Sequence, residues 1–571
     1  MEKEKKLGLA LSGGGFRAAL FHLGVLAALA ERRLLSRIEV ISTVSGGSIV
    51  GACYYLKLKK LLEGNHPKFP EPTHEAYVGI VQELTNEFLE AVQKNPRLRL
   101  FGSLFSNFKM GLEEYTRTHR LAELLDEHFF YPIACQKGIL LKDIHIFPPD
   151  LPKTFDVRQE NLRRKFKIPI LIINAACLNT GHPWHFTGAW VGETPPKREC
   201  MKEIDTNVRL PRLKFDGSCH KEDDCQRPPW PKDVGSVREV LNRLKLSEAV
   251  AASAAVPAIF SPLTLRGLYQ NRRGEEIVVE LADGGVFDNQ GVGALCREKC
   301  THLIVSDGSG QLEDQPLLSR RAFEVASRAN DVMMDKIREE IYCRVRQEFQ
   351  CQRLFFFHLR QEVTSTQSLP KIPGPVDRPG GMVYRLSCLR TDLDSFSEAE
   401  AFSLMYQGYT LALSQLLEEA WENYSPKEEW NFLAIRDVLE KRPCWLMRRL
   451  EVGRYQFFKP FRLLAEEHPW LKWAGAAALF FSPFFFVALL WWLRGLFLKV
   501  PAWLLLLTLL FLLLFFLPLD LWFRKYKPLR FLGALFLGPL ALIFLTLVGI
   551  CLWLWRQTAD RLFLYLARVK G

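Results

Sequence analysis

Leu11-Ser12-Gly13-Gly14-Gly15-Phe16-Arg17 stands at the start of this 571-residue chain, and Val44-Ser45-Gly46-Gly47-Ser48 follows one strand–helix unit later. Leu7–Leu11 alternates and runs into the glycines, which reads as a strand. Residues 18–35 read as a helix, with Phe21, Val25, Leu26 and Leu29 at helical spacing. Three glycines at a strand-to-helix junction let successive backbone N–H groups converge on one point. That point lies at the positive end of a helix dipole, a seat for developing negative charge. Ile38–Val44 is a second β-branched run that ends at Ser45, and Gly46-Gly47 open a helix over 49–62. A serine on a tight strand-to-helix turn is a nucleophile elbow. An oxyanion pocket followed closely by a nucleophile, in that order, narrows the chemistry sharply.

A third piece lies far downstream, where residues 277–281 read as a strand running into Ala282-Asp283-Gly284-Gly285. An acid there can deliver its carboxylate to a serine at the end of a neighbouring strand. With these three motifs in this order the chain resembles the patatin-like phospholipases. Residues 168–186, a strand through Asn174 to His182, and 246–262, an alanine-rich helix closed by Pro257 and Pro262, also look like that family. The likeness spans about half the chain, residues 7–310. It implies an α/β fold, a mostly parallel sheet with helices on both faces, and a Ser–Asp dyad with no histidine. Residue by residue it implies Ser45 as nucleophile, Asp283 as its base, and Gly13, Gly14 and Gly15 as oxyanion donors. Arg17 is expected to hold the glycine loop or contact substrate phosphate, and Gly47 is the second glycine of the elbow. No cofactor and no metal is implied. Thr43 departs from the pattern, standing where the family elbow usually begins with glycine.

The strands alternate with helices beyond these motifs, as in a mostly parallel α/β sheet. A catalytic domain is expected over 1–445, with core motifs at 7–310, a helical insertion at 65–165 and a helical extension at 316–445. Residues 446–571 are expected to form an interfacial linker and about three transmembrane helices. The runs 473–493, 500–519 and 531–555 are near-continuously apolar and long enough to cross a bilayer. Trp491, Trp492, Trp503, Trp522, Trp553 and Trp555 edge them like an interfacial belt. No apolar leader precedes the first strand, so the catalytic domain is expected to face the cytoplasm. Arg448, Arg449, Arg454, Lys459, Arg462 and Lys472 agree with that side, as do Arg524, Lys525, Lys527 and Arg530. Three spans, however, set Arg556, Arg561, Arg568 and Lys570 on the opposite side. Pro483 and Gly538-Pro539 offer a re-entrant segment that changes the parity.

The formal net charge of +12 thickens near the apolar runs and interleaves with no nucleic-acid motif. The expected partners are therefore the bilayer and its phospholipids, with no nucleic acid. Thirteen cysteines in a chain with no secretory signal are expected as reduced thiols. Cys200, Cys219, His220 and Cys225 match no familiar zinc spacing and read as a surface loop. Residues 96–112 set Phe101, Leu104, Phe105 and Phe108 among Arg97, Arg99 and Lys109. They read either as an amphipathic piece of the core or as a lid that dips into a membrane.

The expectation is an integral membrane lipid acyl hydrolase acting on (lyso)phospholipid esters. Three readings compete with it. An α/β-hydrolase triad would recruit His302 or His358, but Ser45 comes too early in the chain for that fold. A lipid acyltransferase would use the same acyl-enzyme with an alcohol in place of water. An inactive membrane scaffold would carry the motifs without the chemistry.

Overall fold

In this computed structural model residues 5–103, 106, 109, 115–152, 154–194, 209–223, 225, 228–257, 259–310, 320–347, 353–361, 381–416, 429–467 and 548–569 are described. The chain divides into two compact units. The first comprises 1–100, 114–456 and 567–571; the second comprises 101–113 and 457–566.

The first unit is built on one sheet. Its strands are β1 (Leu7–Leu11), β2 (Ile38–Val44), β3 (Ile170–Cys177), β4 (Pro183–Phe186), β5 (Trp190–Glu193), β6 (Leu213–Lys214), β7 (Trp230–Pro231), β8 (Leu263–Gln270), β9 (Glu276–Asp283), β10 (His302–Asp307) and β11 (Arg353–His358). The order β11-β10-β1-β2-β3 is parallel throughout. Leu9, Ile41, Ile173 and Ile304 are fully buried in it, as strands covered on both faces must be. Beyond β3 the sheet turns antiparallel through β4, β5 and β6, and β9, β8 and β7 join by antiparallel pairing as well. Period alone does not reveal that flank, because its short strands lack the length of a crossover unit.

The helices used below are α1 (Gly15–Glu31), α2 (Gly46–Leu62), α3 (His74–Gln93), α4 (Pro96–Gly102), α5 (Leu246–Ser253), α6 (Ala322–Gln347), α7 (Met382–Ser387) and α8 (Glu398–Leu416). Every residue of α1 from Gly15 to Ala30 is buried. A helix apolar all round belongs in the middle of a domain. Here α8 packs along it so closely that a Cβ at Gly24 would strike the Met405 carbonyl and one at Gly408 the Phe21 carbonyl.

Within the second unit the described residues include α9 (Lys459–Glu467) and α10 (Arg561–Leu566). The rings of Phe457, Phe458 and Phe461 gather on Trp555, with centroids 6.2, 5.0 and 6.2 Å away. Residues 468–547, which hold two of the apolar runs and most of the third, lie outside the described residues. Among the described residues no helix is long and apolar enough to cross a membrane. Leu104, Phe105 and Phe108 of the amphipathic segment 96–112 also lie outside them.

Cys219 and Cys225 are joined as a disulfide, contrary to the expected reduced thiols. Between them the chain turns where the Asp223 amide donates to the His220 carbonyl at 3.0 Å, and the two Cα atoms stand 6.6 Å apart, within disulfide reach.

Candidate active site

Ser45 sits at the junction of β2 and α2 with φ 50° and ψ −118°, a backbone that non-glycine residues adopt only when the surroundings impose it. The Ser45 amide donates to Ser253 Oγ at 2.9 Å, and the Ser45 carbonyl accepts the amides of Ser48 and Ile49. Ser253 in turn donates to the Asn174 carbonyl at 2.6 Å. Glycine is required on the far side of the turn, since a Cβ at Gly47 would collide with the carbonyls of Leu11 and Ser12. Thr43 fits because of a second exchange. Its methyl lies where the side chain of residue 51 would be, and residue 51 is glycine. The Thr43 hydroxyl accepts from Ser48 Oγ at 3.0 Å and donates to the Ile172 carbonyl at 3.2 Å. The departure from the family pattern is thus absorbed by Gly51 and turned into an anchor.

Asp283 arrives from the opposite direction. On one flank β3 pairs with β2 up to Asn174, and from Ala175 onward with β9, whose last residue is Asp283. The two strands therefore meet end to end. The Asp283 amide donates to the Ala255 carbonyl, and Gly284 lies against the Asn174 carbonyl with no room for a Cβ. Ser45 and Asp283 are both buried, and their side chains are hydrogen-bonded. Burial pushes the Asp283 carboxyl up to about 6, against the pull of the Gly285 amide at 2.7 Å and the Ser45 hydroxyl. At neutral pH the carboxylate is charged yet basic enough to take a proton, the balance a general base needs.

The glycine loop follows β1 and opens α1. Gly14 (φ 131°) and Gly15 (φ 58°) hold backbones that favour glycine, and both line a cavity of about 420 Å3 that Ser45 and Asp283 also face. Gly13 makes a further bond. Its amide donates to the Asn289 carbonyl at 2.9 Å, a bond that holds the loop. Arg17 donates from Nη1 to the carbonyls of Ser387 and Leu389, at 2.7 and 2.9 Å, and also reaches the cavity wall. Of its two expected roles the loop-holding one has these contacts behind it.

No histidine is among the described residues lining this cavity. His302 pairs with Leu7, at the far end of β1 from the glycines. His358 faces Asp307 on the neighbouring strand. His22 is driven down to about 4 by burial and is held between Ser306 Oγ and the Ser12 carbonyl. Among the described residues no group of three or more His, Cys, Asp or Glu is placed to hold a metal.

Several contributors escaped the sequence reading. Ser253 is the serine flanked on both sides by alanines, Ala252 and Ala254, within the alanine-rich run. Asn289 offered only its closeness to Asp283 in sequence. Residues 387–392 and the cavity-facing side of α6, with Arg328, Asp331, Met334 and Arg338, carried no local signal.

A comparison with curated protein sequences finds no match. Among solved structures, human GIVD cytosolic phospholipase A2 is similar over 72% of this chain and 59% of its own, at 13% identity and a TM-score of 0.39. VipD from Legionella pneumophila is similar over 73% of this chain and 67% of its own, at 14% identity and a TM-score of 0.25. The chain thus spans about three fifths of the human enzyme's length. The family description "patatin-like phospholipase" matches residues 9–295, a stretch that holds the glycine loop, the serine elbow and the acid, and is half of the sequence. The chain belongs to the patatin-like phospholipase family.

Proposed function

We propose that this protein is a membrane-embedded serine lipid acyl hydrolase that cleaves the carboxyl esters of phospholipids or lysophospholipids, with its catalytic portion on the cytoplasmic side. The observation that carries the reading is the pairing of Ser45, on its strained elbow, with the buried Asp283 carboxyl raised to about 6. In this reading Asp283 takes the Ser45 proton as Oγ attacks the ester carbonyl. The amides of Gly14 and Gly15 receive the oxyanion, each such donor contributing about 3–4 kcal/mol. The protonated Asp283 then returns its proton to the departing alcohol, and water repeats the cycle on the acyl-enzyme.

Membrane embedding is supported by the three apolar runs and by the second unit's exposed aromatic surface, where Phe457, Phe458, Phe461 and Trp553 stand 44–53% open. The test is direct. Purified protein is labelled with a fluorophosphonate and the modified residue located, then incubated with mixed phospholipid vesicles and the products identified by mass spectrometry. Label on Ser45 and free fatty acid support the proposal. Label without fatty acid, with acyl groups moved to an alcohol, identifies an acyltransferase, and absence of both identifies a scaffold. Carbonate washing that frees the full chain from membranes would remove the embedding.

A further inference from the structure

Residues 387–400 run from the last residue of α7 into the first turn of α8, beyond the family match, and they touch the glycine loop at three successive residues. The Gly15 Cα is pressed against the Thr391 carbonyl so closely that no Cβ fits. The Phe16 amide donates to the Asp392 carbonyl at 3.3 Å. Arg17 donates to the carbonyls of Ser387 and Leu389. These carbonyls are themselves held from behind. Arg97 pairs with the Asp392 carboxylate at 2.6 Å, and its backbone amide donates to the Leu393 carbonyl. Arg390, buried at 2% side-chain exposure, pairs with Asp394 at 2.7 Å and Glu400 at 2.6 Å and lies over the Phe396 ring.

The same segment collects the places where the chain leaves and rejoins the first unit. The chain leaves after Leu100 and after Gln456, and returns for its last residues at Ala567. Arg97 donates to the Gln456 carbonyl at 2.9 Å, and Arg390 donates to the Gly453 carbonyl. The Ala399 amide donates to the Ala567 carbonyl at 3.1 Å, and the Val569 amide to the Glu398 carboxylate at 2.9 Å. A segment that touches the glycine loop is thereby tied, through ion pairs and hydrogen bonds, to residues of the first unit beside the points where the chain leaves and rejoins it.

We propose that residues 387–400 are a positioning strap for the oxyanion loop, latched by Arg97 and Asp392, through which the connections to the second unit set the geometry of Gly14 and Gly15. The kinetic part rests on the hydrolase reading above; the structural part does not. Arg97→Gln, Arg97→Lys and Asp392→Asn are made in the full-length protein, with Arg164→Gln, at a surface ion pair with Asp150, as control. Hydrogen exchange is followed over peptides spanning 12–17 and 38–44, beside kcat and KM on a water-soluble ester and the melting temperature. The expected result is faster exchange at 12–17 alone in Arg97→Gln and Asp392→Asn, with kcat lower by roughly 10- to 100-fold. KM should stay within about twofold. Arg97→Lys should recover most of both losses, and the control neither. Unchanged exchange at 12–17, or faster exchange without a kcat loss in an active enzyme, overturns the strap. A variant whose exchange rises equally at 38–44 with a fallen melting temperature shows general loosening and also overturns it. A wild-type protein inactive on the ester but showing the local exchange change would reject the hydrolase reading and leave the strap standing.

Discussion

Ser45 and Asp283 come together because β2 and β9 run toward each other along one flank of β3 and stop at adjacent residues, Asn174 and Ala175. Residues 238 positions apart in sequence are set facing each other by backbone pairing alone, before any side-chain contact. Such a pair should act as a unit. Ser45→Ala, Asp283→Asn and the double variant are expected to lose similar activity, on the order of 10⁴-fold in kcat. Losses that multiply in the double variant would show two independent contributions.

The raised carboxyl of Asp283 sets the acid limb of the pH profile. Only the ionised form accepts the Ser45 proton, so kcat/KM on a soluble ester should climb as pH rises through about 6 and then level off. A limb that persists unchanged in Asp283→Asn belongs to another group.

The same shift costs stability. A carboxyl whose pKa is raised from 3.8 to about 6 in the folded state binds its proton more tightly folded than unfolded. Its contribution to stability is full below the unfolded value and is lost as pH rises through the folded one. At pH 8 the charged, buried Asp283 should cost roughly 3 kcal/mol. Asp283→Asn is therefore expected to melt higher than the parent at pH 8, with the gap closing toward pH 4. Equal melting temperatures across that range would mean the carboxylate is better solvated than its burial indicates.

Thr43 and Gly51 exchange volume, and this can be tested by swapping it. Gly51→Ala places a Cβ 2.5 Å from the Thr43 methyl, on a stiff β-branched side chain that cannot turn away. That variant should lose about 1–3 kcal/mol by overpacking, together with much of its activity as the elbow moves. Thr43→Gly added to Gly51→Ala should restore part of the stability, measured by denaturant unfolding. A double variant no more stable than Gly51→Ala alone would show that the two positions do not share the space.

Gly14→Ala separates the two duties in the glycine loop. The position holds φ 131° and lines the cavity, so a side chain shifts its backbone there, and kcat should fall with little change in KM. Gly13→Ala acts differently, because its Cβ would collide with Asn289 Oδ1. There, a loss of melting temperature should accompany the loss of rate. Identical behaviour of the two variants would remove the distinction between them.

The glycine loop, the elbow and the acid were legible in sequence because each is a backbone requirement written in a few adjacent residues. Gly47 has no space for a side chain, and the run from Asp283 to Gly285 turns within hydrogen-bond reach of its own carboxylate. The strap was not legible for the converse reason. Arg97 and Asp392 stand 295 residues apart, and an ion pair at that distance leaves no periodicity or spacing to read. Gly13 shows a finer limit. Three consecutive glycines look equivalent in sequence, and only the carbonyl of Asn289 tells the first from the other two. Thr43 was visible as a departure, but its partner Gly51 became meaningful only once α2 was seen to pass over β2.

The return of the chain at Ala567 has a topological consequence. Gln456 and Ala567 both belong to the first unit, and both are hydrogen-bonded within it. Inside the second unit the outgoing and incoming stretches lie side by side, with Phe458 against Trp555 at 5.0 Å and Lys459 over Phe563 at 4.5 Å. In the membrane-embedded reading proposed above, a path that leaves and rejoins the first unit would pierce the bilayer an even number of times. In that reading an odd number of crossings, such as one for each of the three apolar runs, would not bring the chain home. The basic tail residues Arg561 and Arg568 would then share a side with Arg454 and Arg462, and the charge asymmetry that three spans leave contradictory would become uniform.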